Sequence, residues 1–567
     1  MLSERPRWRG APRGSKKPAA PRPASVMLPD IRDYDRLVAA FRWRIPERYN
    51  IGVDVCDRWA AVEPDRAAII EVEAAGDAVR PVSYGALREE SNRLADALRR
   101  QGVGRGDRVA IMLPQCREVA AAHIAIYKLG AVALPIATLF GADAVDYRLR
   151  DSGASALIAN AASLDRIAGL LRSDPPPALR TILSVDGAGA GALDYAALLR
   201  AADPDFAPVA TGADDPALMI YTSGTTGNPK GALHAHRVLL GHLPGVQMSH
   251  EFLPQPEDRF WTPADWAWAG GLLNVLLPGL HFGVPVVARK FEKFDPEQAY
   301  RLMQDMTVRN AFIPPTALKM LRAVPDPRKR FNLSLRTIGS GGESLGEPTF
   351  HWGREALGLT INEFYGQTEC NLVLSSSAAI GVVRAGAIGR AVPGHAVAVI
   401  RGDGSRCEPE EAGQIAVRRP DPVMFLGYWN RPEATREKFI GDWMTTGDQG
   451  VCDADGYVRF FGRDDDVITS AGYRIGPGEI EDCLLRHPAV ALAAAVGKPD
   501  PVRTEIVKAF VVLKGDVAAS DALAADIQTF VREHLSAHEY PREIAFVDSL
   551  PLTTTGKVIR RLLRERA

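Results

Sequence analysis

Residues 221 to 231 read YTSGTTGNPKG, a stretch that crowds four Ser or Thr hydroxyls, three glycines and one lysine together. Gly224, Gly227 and Gly231 let the backbone turn sharply and approach a ligand closely; Thr222, Ser223, Thr225 and Thr226 add hydroxyl donors, and Lys230 adds a cation. That inventory suits phosphate oxygens. A Walker-type loop needs Gly, Lys and a hydroxyl in succession, whereas here Pro229 precedes Lys230 and Gly231 follows it. The loop therefore points to a different class of nucleotide binder. The apolar ALMIY of Ala217 to Tyr221 predicts a buried strand immediately ahead of it.

The elements that must position this loop read as alternating helices and short apolar strands from about Asp30 to Asp465, which favours α/β layering. Ser83 is placed to cap a helix through SYGALREESNRLADALRRQ that ends at Gly102. A strand is predicted at Arg108 to Leu113 and a helix at Glu118 to Leu129. Between Gly381 and Phe461 the short β-rich pieces RAGAIGRAVPGHAVAVI, GQIAVRR and GYVRFFG predict a small barrel-like subdomain. After the charge cluster Arg463 to Asp466 a new β-then-helix pattern predicts a compact α+β unit. The expected division is a basic tail or mis-assigned start at 1–29, a large N-terminal domain at 30–464 and a small mobile C-terminal domain at 465–567.

The totals agree with a multidomain globular protein. A chain of 567 residues exceeds what one hydrophobic core usually supports, and 46% hydrophobic with 24% charged residues is ordinary composition. With 68 Lys and Arg against 69 Asp and Glu, there is no bulk attraction to nucleic acid or anionic membrane, so any phosphate site is local. Six scattered cysteines without a C-x-x-C pair fit a reducing, cytoplasmic setting. The apolar run Ala269 to Val287 is broken by Asn274, Pro278, His281 and Pro285 and reads as buried core, not a membrane span. The first 26 residues are proline-rich and basic, and read as a disordered tail or as sequence upstream of a start at Met27.

Seven motifs in order, YTSGTTGNPKG at 221, GSGGESL at 339, EFYGQTE at 363, TGD at 446, GRDDDVI at 462, SAGYRIGPGEIE at 470 and PLTTTGKVIRR at 551, resemble the adenylate-forming superfamily of acyl-CoA synthetases, nonribosomal adenylation domains and luciferases. The resemblance runs from about residue 50 to the C-terminus. It implies ATP, Mg2+ and CoA as cofactor and co-substrates, and an acyl-adenylate intermediate. Thr222 to Gly227 and Lys230 would grip the pyrophosphate portion, Thr368 the α-phosphate, and Glu369 the magnesium ion, a hard cation suited to oxygen ligands. Gly341, Gly342 and Glu343 would pack on adenine beside Tyr365, with Gly366 and Gln367 also among the ATP-binding residues, and Asp448 with Arg463 would fix the ribose hydroxyls.

Lys557 resembles the lysine that neutralises charge between carboxylate and α-phosphate, and Arg474 is grouped with it as catalytic. Asp465 resembles the hinge that turns the small domain between two half-reactions. In the second orientation Ala471, Gly472 and Tyr473 would line the pantetheine tunnel, and Arg503, Tyr540 and Arg542 would meet CoA. Asp265 and Trp268 in DWAW resemble the signature of the acetyl- and medium-chain acyl branch, and His234 and His236 read as packing residues. Acetyl-CoA synthetases of this type carry a tryptophan where Gly366 stands, so Gly366 implies an acyl pocket, with Trp268 among its residues, that takes a medium-chain, branched or aromatic acid larger than acetate. Only ten residues follow Lys557, which favours free CoA over a fused carrier domain. A stand-alone enzyme loading a separate carrier protein and a non-catalytic nucleotide-binding descendant are the alternatives.

Overall fold

The computed structural model describes residues 27–73, 78–189, 191–222, 228–463, 466–470, 473–500, 503–515, 517–535, 540–552 and 557–567. Two large mixed sheets carry the first two thirds of the chain. The nine-stranded sheet runs in spatial order 390–391, 371–375, 361–367, 337–341, 310–312, 260–261, 286–288, 67–72 and 79–83, parallel in its centre and antiparallel at both edges. The eight-stranded sheet is parallel from Val132–Pro135 through Leu193–Asp194, and closes on the other side with the antiparallel pair Pro216–Thr222 and Lys230–Ala235, edged by Gly427–Tyr428.

Local sequence and structure agree where the signals were strong. Ser83 Oγ accepts from the Ala86 N–H and starts the helix Tyr84–Arg100, beyond which Gly102 takes a φ of +81°. The predicted strand and the helix after it appear as Arg108–Met112 and Arg117–Lys128. The apolar run from Ala269 is core: it forms a short helical series through Phe282 and the strand Val286–Ala288, and its Asn274 Oδ1 accepts from His242 Nε2 at 2.7 Å. Among the described residues no helix is long and apolar enough to cross a membrane.

A third sheet, antiparallel, joins Val397–Ile400, Gly413–Arg418, Trp443–Cys452, Phe439–Ile440 and Val458–Arg463 within the stretch read as β-rich; its strand path among the described residues is open and not closed into a barrel. The C-terminal unit is a five-stranded sheet whose long hairpin, Val490–Asp500 with Thr504–Leu513, is covered by the helices Pro477–Leu484 and Asp521–His534. The expected tail needs one correction. Met27 and Leu28 are docked, both backbone N–H groups donating to the Gln247 side-chain oxygen at 2.8 and 2.9 Å, and Leu28 is fully buried. Residues 1–26 lie outside the described residues.

These layers bury one lysine completely. The Lys128 ammonium meets Asp57 at 2.6 Å and donates to Ser91 Oγ and Asn92 Oδ1. Removing one partner of a buried pair strands the other charge, so Asp57→Ala should destabilise the large domain by about 3–5 kcal/mol. Denaturant unfolding followed by fluorescence checks this, and adding Lys128→Met should recover most of the loss.

Candidate active site

In open α/β sheets ligands collect at the carboxyl ends of the strands. Thr222, Gly341 and Gln367 each end a strand: Pro216–Thr222, Thr337–Gly341 and Ile361–Gln367. Thr222 pairs with Lys230 across a hairpin, so both ends of the hydroxyl-rich loop are fixed by strand register. Ser223, Gly224, Thr225, Thr226 and Gly227 lie outside the described residues. Tyr147 donates to the Pro229 carbonyl at 3.0 Å, which ties the loop's exit to the helix Ala142–Ser152.

Lys230 and Glu369 meet around Tyr428. The lysine Nζ stands 5.3 Å from the centre of the Tyr428 ring, and the Tyr428 hydroxyl donates to the buried Glu369 carboxylate. Tyr428 is brought there by the pairing of Gly427–Tyr428 with the strand that begins at Lys230. Its phenol is pushed far up by burial and by the neighbouring carboxylate, so it stays a donor. Thr368 sits in the turn between Gln367 and Glu369, its backbone against the buried His234 ring. Burial holds His234 near 3 and His236 near 4, and His236 Nδ1 accepts from the Ile51 N–H. Both are neutral packing groups, as their sequence context suggested.

The second cluster centres on Asp448. Its Oδ2 accepts from the Tyr365 hydroxyl at 2.5 Å and from Gln367 Nε2 at 2.6 Å, while Oδ1 lies 3.8 Å from Arg463 Nη1. Tyr365 and Gln367 alternate on one strand of the nine-stranded sheet and so face the same way, with Gly366 between them. Asp448 and Arg463 are directly opposed across two strands of the third sheet. Burial lifts the Asp448 carboxyl above its usual range; Arg463, Tyr365, Gln367 and Lys557 pull it back down.

Lys557 closes the constellation. Its side chain is exposed, and desolvation holds its ammonium below the ordinary lysine value while Glu343 and Asp448 oppose that shift. Glu343, after the Gly341–Gly342 turn, accepts from Thr316 Oγ1 at 2.7 Å. Gly342 has a φ of +95°, which explains why glycine stands there. Glu363 holds the far side of this turn, accepting the Leu345 N–H at 3.0 Å; burial lifts its carboxyl to about 7.

Gly366 carries a correction. A Cβ at this position would lie 1.2 Å from the Asn371 carbonyl oxygen, across the bulged hairpin with Asn371–Ser375. Glycine is therefore required by the hairpin itself, and a tryptophan cannot be grafted here as a simple pocket wall. Trp268 is half-buried and packs edge-on to Phe140 at 5.7 Å; Asp265, pushed to about 6 by burial, accepts the Ala267 N–H and shapes the loop.

Of the residues expected to meet CoA, Ala471 and Gly472 lie outside the described residues, as does the hinge residue Asp465. Tyr473 and Arg474 belong to the strand Tyr473–Ile475. Arg542 lies 5.1 Å from the Tyr540 ring centre, and its N–H donates to Val507. Arg503 sits at the tip of the long hairpin, about 13 Å of strand away from Val507, so the structure does not bring it to the other two.

Tyr428, Thr316 and Glu363 are the positioning residues that local sequence did not single out. Tyr428 acts on a residue 59 positions away, and only the pairing of its short strand reveals the contact.

Residues 56–429 match the family model for the AMP-binding enzyme, and residues 479–557 match the model for the AMP-binding enzyme C-terminal domain. The chain is 33% identical to the acetyl-coenzyme A synthetase of Bacillus subtilis, over 91% of this chain and 90% of that one. It is 32% identical to the human mitochondrial acyl-coenzyme A synthetase ACSM4, over 92% and 91%. The crystal structure of the anthranilate CoA ligase AuaEII with anthranoyl-AMP superposes with a TM-score of 0.84 at 29% identity, covering 92% of this chain and 98% of that one.

The hairpin geometry makes a direct prediction. Gly366→Ala should destabilise the large domain by about 3 kcal/mol, the upper end for overpacking, and should raise KM for ATP, because the displaced backbone carries Tyr365 and Gln367. Thermal unfolding and ATP-dependent kinetics check both effects; unchanged values would place the Gly366 backbone elsewhere.

Proposed function

This chain belongs to the AMP-binding enzyme family and is an AMP-forming acid–thiol ligase of the acyl-CoA synthetase branch, and from that premise we propose that it activates a carboxylic acid larger than acetate. The single observation that carries the reading is the convergence of Glu343, beside the nine-stranded sheet, and Asp448 and Arg463, on paired strands of the third sheet, around Lys557 of the C-terminal segment.

In the proposed reaction a carboxylate oxygen attacks the α-phosphorus of ATP, the bond to pyrophosphate breaks, and the acyl-adenylate remains. The thiol of CoA then attacks the acyl carbon, and AMP leaves. The main obstacle to the first step is the approach of two anions. An ammonium at Lys557 offsets it where charge accumulates, in a cleft where a preorganised cation acts more strongly than in water. Asp448 accepts from the ribose hydroxyls, and Thr222 to Gly227 with Lys230 hold the departing pyrophosphate. A buried carboxylate beside phosphate oxygens and water is a donor set that magnesium takes, so Glu369 would hold Mg2+, which screens the triphosphate; Tyr428 orients that carboxylate.

A larger acid is supported by Trp268, the residue expected at the acyl pocket, which packs on Phe140, and by the likeness to an anthranilate ligase. The similarity to an acetyl-coenzyme A synthetase argues the other way. A rate comparison with acetate, isobutyrate, hexanoate and benzoate decides between them, and a preference for acetate overturns the proposal. If CoA alone supports no thioester while pyrophosphate is released, the stand-alone carrier-loading reading replaces it. The six unpaired cysteines favour a cytoplasmic setting.

Since Lys557 acts as a cation, adenylation should fall on the alkaline side as it deprotonates. Its lowered value places that limb below the ordinary lysine pKa of about 10.4. Pyrophosphate release against pH checks this. Lys557→Ala should abolish the limb and cripple adenylation, yet spare thioester formation from pre-made acyl-adenylate.

Gly472→Leu should give the opposite split, blocking transfer to CoA and leaving adenylate formation intact. A parallel loss of both steps in either variant would contradict the assignment of separate orientations.

A further inference from the structure

A lysine side chain is long and flexible, so its value in the cleft depends on where its backbone is held. Lys557 directly precedes an antiparallel bridge between Leu552 and Val558, and the Ile559 N–H donates to the Pro551 carbonyl at 2.8 Å. Immediately beyond, Arg560 projects into a cage of carboxylates. Its Nη2 donates to both oxygens of Glu481 at 2.7 and 2.8 Å, and its Nη1 stands 3.6 Å from Asp466. Asp466 is also bound by Arg564.

Each partner is itself anchored. Glu481 lies on the helix Pro477–Leu484 and accepts the Ala495 N–H from the long hairpin at 2.9 Å. The Asp466 N–H donates to the Arg463 carbonyl at 2.9 Å, and Arg463 faces Asp448 and lies near Lys557. The next helix residue, Asp482, meets the large domain: a Cβ on Gly346 would lie 2.6 Å from its Oδ1. One short helix therefore touches the turn that follows Glu343 and, through its neighbouring residue, grips the segment that carries Lys557.

We infer that Arg560, clamped by Glu481 and Asp466, is a positioning residue that sets where Lys557 enters the adenylation site. The inference rests on Lys557 as the adenylating lysine. Only arginine fits the clamp, since a planar guanidinium can reach both oxygens of one carboxylate and a second carboxylate besides, which an ammonium cannot do in that geometry. The clamp is built within the C-terminal unit and the turn beside Arg463, so it serves the step that uses Lys557 and is idle in the step that does not.

Two assays separate this from a purely structural ion pair: acid-dependent ATP–pyrophosphate exchange, and CoA-thioester formation from pre-made acyl-adenylate. Both use the acid that the wild-type enzyme turns over fastest among acetate, isobutyrate, hexanoate and benzoate. Arg560→Lys and Glu481→Gln should each lower the kcat of exchange by about a hundredfold, the cost of a small misplacement of a catalytic group, while KM for ATP and the thioester step stay close to wild type. The exchanged pair Glu481→Arg with Arg560→Glu should recover a large part of what Arg560→Glu alone loses. Wild-type exchange in Arg560→Lys, or equal loss of both half-reactions without rescue by the exchanged pair, overturns the inference. Lys557→Ala run in parallel locates the failure: if it leaves exchange intact, the reading of Lys557 falls first.

Discussion

A carboxylate taken out of water must find cations and donors, and Asp448 finds all of them in groups that belong to different parts of the chain. Tyr365 and Gln367 come from the nine-stranded sheet, Arg463 from the neighbouring strand of the third sheet, and Lys557 from near the C-terminus. The desolvation of this one group is countered in part only when these elements are assembled together. The same assembly brings Glu343 and its turn up to Lys557. The site is thus held by electrostatic demand as much as by packing, and the strands are the frame on which that demand is met.

Order along the chain explains what was legible beforehand. Thr222 and Lys230 sit in a loop whose residue types alone suggest phosphate, whereas Gly341, Asp448 and Lys557 were singled out by the resemblance of their motifs to a known family. The helix from Tyr84 and the strand before Thr222 were legible from local sequence: a cap, a periodicity and an apolar run are read within a few residues. Tyr428 on Glu369, Thr316 on Glu343 and Glu363 on Leu345 were not legible, because each depends on pairing between distant segments. Met27 and Leu28 were misread for a related reason, since the Gln247 that receives them is more than 200 positions away.

Gly366 shows how one residue type can be right for a reason different from the first one given. The absence of a side chain suggested room for a larger acid, whereas the backbone shows that no side chain fits at all. The position lies between two residues that hold Asp448, so the close approach of the hairpin fixes the donors of that carboxylate. The proposal of a larger acid therefore rests on Trp268, packed on Phe140, and not on Gly366.

The carboxylate cage around Arg560 has a further consequence for how such proteins can be recombined. Glu481, Arg560, Arg564 and Asp466 all lie downstream of residue 465, and the hairpin strand that pins Glu481 lies there too. The segment from 466 onward therefore carries the registration of its own lysine, like a cartridge that holds its pin at a fixed height. What it needs from the rest of the chain is a seat, and Gly346, with no side chain to obstruct Asp482, supplies one.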